Sequence, residues 1–233
     1  MASKHSDKWD QLYFLKYHGD EIIDESAEMY TTFFGQVPSD HKITTGESDG
    51  TWTSVDDQPF AFGKVTISDK LFIVSHGEAN GELGEGNNAD TLARDLKMWG
   101  LRKVGLITFK CCNLGRGGFL DMFISACTRR GITIGWAKGY TGRASTERGI
   151  AGDPYEFVKG DHGVPKVGDG RFKISQGNSL TPLAKFERYS YAEEEKQEEE
   201  APKPAPKRPV GITVTKGTRF GKSIWESRTD PKK

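Results

Sequence analysis

Two short apolar runs, Leu71-Phe-Ile-Val-Ser-His-Gly77 and Val104-Gly-Leu-Ile-Thr-Phe-Lys-Cys-Cys-Asn-Leu-Gly115, constrain the fold of this chain more than any other feature. Each is rich in β-branched and aromatic residues and ends at glycine, the pattern of a strand buried on both faces. Between them, Ala89, Leu92, Ala93, Leu96 and Trp99 recur at helical spacing. Strand, helix, strand in that order predicts a right-handed crossover and a parallel pair. His76 and Cys112 then leave the same edge of one sheet, the carboxyl edge, where open α/β sheets carry their sites.

A second helix-strand unit extends the pattern. Residues 118–131 carry apolar positions at 119, 120, 123, 124 and 127, with Arg129 and Arg130 near the end and a terminating Gly131. Residues 132–137 read as the next strand, so the unit is β-α-β-α-β, and it predicts an α/β fold with a mainly parallel central sheet. Upstream, residues 12–17 predict a first strand and residues 24–34 a helix. Residues 35–59 read as a loop or irregular hairpin, and 61–67 as a strand that turns through 68–70 into the one at 71–75. Beyond Lys138 a run of glycines predicts loops and short hairpins. A glutamate block at 193–200 and a proline-rich stretch at 201–209 mark 191–209 as a disordered linker between a domain at 1–190 and a basic tail at 210–233.

Composition excludes several classes. Thirty-three basic and 33 acidic residues balance among 233, so no global field draws the chain to nucleic acid, and no such partner is expected. The first residues lack a basic-then-apolar signal pattern and no run is long enough to span a bilayer. A cytoplasmic protein is expected, with export by a signal-independent route as the alternative. Three cysteines, two of them adjacent, make a poor disulfide framework. The lack of a Cys-x-x-Cys pair and the scatter of the five histidines argue against a structural zinc.

A thiol attacks carbonyls as thiolate, and an unperturbed thiol with a pKa near ~8.5 needs a base or a positive dipole to supply one. His76 can take the proton of Cys112, and the helix opening near Gly117 can direct N–H groups at the sulfur. Gly77 leaves room beside a substrate bond and an N–H for an oxyanion. Adjacent strand residues face opposite ways, so only one of Cys111 and Cys112 can look into a cleft, and alternation alone does not decide which. Cys127 falls on a helical apolar stripe and is expected in the core. His162 and the acidic residues Glu78, Glu82, Glu85 and Asp90 could contact substrate, although solvated loops are the plainer reading.

An apolar strand ending in His76-Gly77, paired with one ending in Cys111-Cys112 and a glycine-containing turn, resembles the caspase-like cysteine peptidases, most closely the self-processing protease domains of large bacterial toxins. The resemblance covers roughly residues 60–140. It implies a three-layer α/β/α fold and a cysteine endopeptidase working through a thioester acyl-enzyme on a protein or peptide substrate. Cys112 would be the nucleophile, with Cys111 in the preceding small-residue position, His76 the general base, and the Gly77 and Cys112 N–H groups the oxyanion donors. No cofactor is required for that chemistry. Lys110 and the doubled cysteine depart from the family pattern. The resemblance also raises an inositol phosphate as an activator. From Lys203 onward nine basic residues face two acidic ones, a local +7, and Lys207, Arg208, Lys216, Arg219 and Lys222 would hold the anion. Two other readings stand beside the peptidase: a non-catalytic binding module on the same fold, and a thiol acyltransferase or deamidase.

Overall fold

The computed structural model describes residues 9–35, 37–78, 82–148, 154–159 and 168–179. Its centre is a seven-stranded sheet formed by β1 (Leu12–Lys16), β2 (Lys42–Thr44), β3 (Thr53–Ser54), β4 (Lys70–Val74), β5 (Lys103–Lys110), β6 (Thr133–Tyr140) and β9 (Phe172–Gln176), in the order β3-β2-β1-β4-β5-β6-β9. All neighbours are parallel except the last pair, in which β9 runs antiparallel to β6. Strands β7 (Arg143–Arg148) and β8 (Pro154–Lys159) form a separate antiparallel pair. Helix α1 (Glu21–Phe33) packs on one face of the sheet, and α2 (Ala89–Met98) and α3 (Phe119–Arg129) belong to the core on the other. The fold is therefore α/β with a mostly parallel sheet between helices.

The helices start where their caps dictate. Asp20 caps α1 and Asn88 caps α2, each side chain accepting two backbone N–H bonds of the first turn. The stripe Leu92, Ala93 and Leu96 of α2 and the stripe Phe119, Leu120, Phe123 and Cys127 of α3 are buried against Leu71, Ile73, Ile107 and Phe109 of the sheet. Phe109 stands edge-on to both Phe119 and Phe123, with centroids 5.4 and 5.2 Å away, which ties α3 to the strand leading to the cysteines. On the opposite face Phe14 and Phe72 stack at 4.6 Å beneath α1.

Three expectations from the sequence change. Residues 61–67 are turns rather than a strand: the N–H of Phe62 bonds to Trp99 O, that of Gly63 to Phe60 O and that of Val65 to Phe62 O. Ala61, Phe62 and Val65 are buried at a spacing that is not two, so they join the core without lying in a pleat. Residues 35–59 include the short parallel strands β2 and β3. The glycine-rich stretch after Lys138 continues β6 to Tyr140 and adds β9 to the sheet, besides the expected hairpin β7–β8.

Phe109 is 1% exposed, so Phe109→Ala is expected to cost about 3–5 kcal/mol in urea unfolding. Met122, on the outer face of α3 and 58% exposed, should change stability by less than about 0.5 kcal/mol on substitution by alanine. Equal costs at the two sites would contradict this packing.

Candidate active site

The register of the central strands builds the site. Val74 of β4 lies opposite Lys110 of β5, and Lys16 of β1 lies opposite Val74. Two residues past these partners come His18, His76 and Cys112, all at the carboxyl edge. The His76–Gly77 backbone and the Cys112 backbone adjoin there. A β-carbon at Gly77 would overlap the Cys112 carbonyl and lie 2.8 Å from the Cys112 nitrogen, so only glycine fits.

The strand faces separate the two adjacent cysteines. Cys111 is 2% exposed, joins the core and donates its S–H to Ile73 O at 3.5 Å. Burial pushes its thiol pKa well up, so it stays protonated. Cys112 is partly exposed, and its sulfur meets β7: the Ala144 N–H donates to Sγ at 3.3 Å and the S–H donates to Ala144 O at 3.4 Å. Among the described residues the N–H donor on the sulfur is thus Ala144 and not the start of α3, whose preceding turn is closed by Arg116 N–H to Asn113 O and Gly115 N–H to Tyr140 O. Cys127 is fully buried, with its pKa raised to about 12 by desolvation.

His76 has a partner that the sequence reading missed. Its Nε2 lies 2.9 Å from Asp20 Oδ2. An ionised carboxylate only accepts, so Nε2 carries a proton, and in the neutral imidazole the lone pair is then on Nδ1. Asp20 also caps α1 through Oδ1, bonding the N–H groups of Ile22 and Ile23 at 3.1 Å. These bonds hold its pKa below the ordinary carboxylate value, first through His76 and then through the Ile23 N–H. The signal is an aspartate after an apolar strand and a glycine; α1 begins at Glu21, ahead of the 24–34 span that the apolar spacing predicts, and this makes Asp20 its cap.

Residues 82–87 lie against the histidine backbone. The N–H of Gly84 donates to His76 O at 3.0 Å, Glu78 N–H to Glu82 O at 2.9 Å, and Asn87 Nδ2 to Gly84 O at 3.0 Å. Of the N–H groups facing the thiol loop, that of Asn113 is used by Gly142 O at 2.8 Å, and Asn113 takes a positive φ of 61° to reach it. Among the described residues neither the Gly77 nor the Cys112 N–H meets a hydrogen-bond acceptor.

Asp90 does not belong to the site, because it pairs with Arg129 at 2.9 Å and Arg130 at 2.6 Å and so joins α2 to α3. His162, the linker at 191–209 and the proposed anion-binding residues Lys207, Arg208, Lys216, Arg219 and Lys222 lie outside the described residues. Among the described residues no group of three or more His, Cys, Asp or Glu side chains converges on a common point, and no helix is long and apolar enough to cross a membrane. The chain matches no model of a known protein family and no curated protein sequence.

Two measurements check this geometry. Iodoacetamide at neutral pH should add one label to the native protein, on Cys112, and three after denaturation; a native label on Cys111 would reverse the faces of the strand. The pKa of Asp20 is depressed, so its contribution to stability is complete above the unfolded value of 3.8 and is lost as pH falls through the lowered folded value. Asparagine caps helices as well as aspartate does. Asp20→Asn should therefore lower Tm at neutral pH, and the gap to the parent should close in strong acid.

Proposed function

We propose that the chain is a cysteine endopeptidase of the caspase-like kind, with Cys112 as nucleophile, His76 as general base and Asp20 as the group that orients the histidine. The observation that supports this reading is that His76 and Cys112 follow the paired ends of adjacent parallel strands at one sheet edge, with a carboxylate bonded to Nε2 of the imidazole.

The chemistry follows from these atoms. Asp20 fixes Nε2–H, so Nδ1 takes the thiol proton of Cys112, and the thiolate leaves its Ala144 partners as it bonds to the scissile carbonyl carbon. The charge that develops on the carbonyl oxygen meets the Gly77 and Cys112 N–H groups. Collapse of the tetrahedral adduct breaks the C–N bond, and the departing amine takes the proton from His76 Nδ1. The thioester is then hydrolysed by water that His76 deprotonates, which restores the thiol. Asp20 stabilises the imidazolium formed in each half-reaction.

Protein or peptide is the substrate in this reading, and the cytosol is the site of synthesis. An inositol polyphosphate bound by Lys207, Arg208, Lys216, Arg219 and Lys222 is proposed as an activator. Transfer of the acyl group to an amine, or deamidation, would use the same thioester, and product masses distinguish these reactions from hydrolysis.

The test is incubation of the full chain, with and without inositol hexakisphosphate, with a peptide library and a peptidyl electrophile, read by mass spectrometry. Cleavage or covalent capture at Cys112 is expected. Cys112→Ala should abolish both, His76→Ala should lower kcat/KM by roughly 10²–10⁴-fold, and Asp20→Asn should cost less than His76→Ala. A wild-type Cys112 no more reactive than a free thiol, in either condition, would leave the binding module as the better reading.

A further inference from the structure

The end of β1 carries a buried cation that the chemistry above does not use. Lys16 is the last residue of that strand, and its side chain is 7% exposed. Its Nζ donates to Asp24 Oδ1 of α1 at 2.8 Å and lies 3.7 Å from Asp49 Oδ2 in the segment before β3. The ammonium also sits 4.7 Å from the centroid of the Trp52 ring. Trp52 is itself buried and donates Nε1–H to Glu28 Oε1 of α1 at 2.6 Å. Asp49 Oδ1 in turn accepts the N–H groups of Thr51 and Trp52.

Burying an ammonium is costly unless its partners replace water, and a methionine of similar length would fill the same space. The charge is spent on joining three segments, β1, α1 and the 45–52 stretch, around one connection. That connection is residues 17–20, and its last member is Asp20. Asp24 lies one helical turn beyond Asp20 and bonds to it directly, its N–H donating to Asp20 O at 2.9 Å. Holding Asp24 holds the first turn of α1, and with it the carboxylate that caps the helix and reaches His76.

We infer that Lys16 is a positioning residue for the site: through Asp24 it fixes the start of α1, so that Asp20 Oδ2 stays on His76 Nε2. The inference rests on the proposed roles of His76 and Asp20. Lys16 touches neither the thiol nor the imidazole in this arrangement, and its effect passes entirely through the helix start.

A double-mutant cycle on the full chain tests it, with two readouts: the imidazole resonances of His76 by NMR, which do not depend on turnover, and the alkylation rate of Cys112. Lys16→Met should move the His76 resonances in the direction in which Asp20→Asn moves them, and slow alkylation on the order of tenfold, the scale of a misplaced supporting group. In the Asp20→Asn background it should change neither. Lys16→Arg, which keeps the charge, should restore most of the parent behaviour. If Lys16→Met does not fold, Asp24→Asn removes the surface-exposed partner instead, with the same outcomes expected. A lowered Tm with unmoved His76 resonances, or equal effects in both backgrounds, would make the cluster merely structural and overturn the inference. If His76 responds as expected while wild-type Cys112 shows no enhanced reactivity, the inference stands and the peptidase reading falls.

Discussion

The parallel pairing of β4 with β5 is the constraint on which the site depends. In a parallel pair both strands point the same way, so a register that sets Val74 against Lys110 delivers the next residues of each strand to one edge at one height. A slip of one residue would turn His76 and the cysteine to opposite faces. The register is held by the burial of Leu71, Ile73, Ile107 and Phe109 under α2 and α3, and by the contact at Gly77, where the two backbones come too close for any side chain. Core packing and site geometry are thus one requirement expressed at two ends of the same strands.

The electrostatic half of the site is assembled on the opposite face by α1. Asp20 carries two duties with its two oxygens, one to the helix start and one to the imidazole. Helix capping of this kind is worth about 1 kcal/mol, so folding of α1 itself holds the carboxylate in place. The lysine, carboxylates and indole around Lys16 extend the same logic. None of these groups is in β4 or β5, and on the inference drawn above they act on the histidine through the start of α1 alone.

Much of this was legible in the sequence because it is periodic. The apolar runs ending at His76 and Cys112, the stripes of α2 and α3 and the order of elements all express local rules, and the sheet obeys them. What failed was non-local. Residues 61–67 have strand-like composition, but their N–H groups close turns instead, Gly63 to Phe60 O and Val65 to Phe62 O, while Phe62 N–H goes to Trp99 O. The short strands β2 and β3 are too brief to show a period, and β9 becomes a strand only because the β6 edge is there to pair with. Asp20 was missed because its meaning lies in a bond to a residue 56 positions away. The choice between Cys111 and Cys112 needed the face of β5, which the alternation of Phe109 and Cys111 into the core provides only once the sheet exists.

The turn from β6 into β7 gives the site its remaining wall. Gly142 O receives the Asn113 N–H, Tyr140 O receives the Gly115 N–H, and Ala144 meets the sulfur with both its N–H and its carbonyl. The thiol loop is therefore hemmed by main chain on both sides, Gly77 on one and residues 140–144 on the other. A main-chain wall contributes directional donors and acceptors with little side-chain entropy to lose, and it holds them at fixed spacing. The Ala144 N–H and carbonyl meet the Cys112 sulfur, and in the proposed reaction the thiolate gives up these contacts as it bonds to the carbonyl carbon. An N–H···S contact is weak, so in the proposed reaction its exchange for a covalent bond adds little to the barrier. On the proposed reading, β7 works as a holder for the nucleophile between turnovers, and the identity of the side chain at 144 matters less than the path of its backbone.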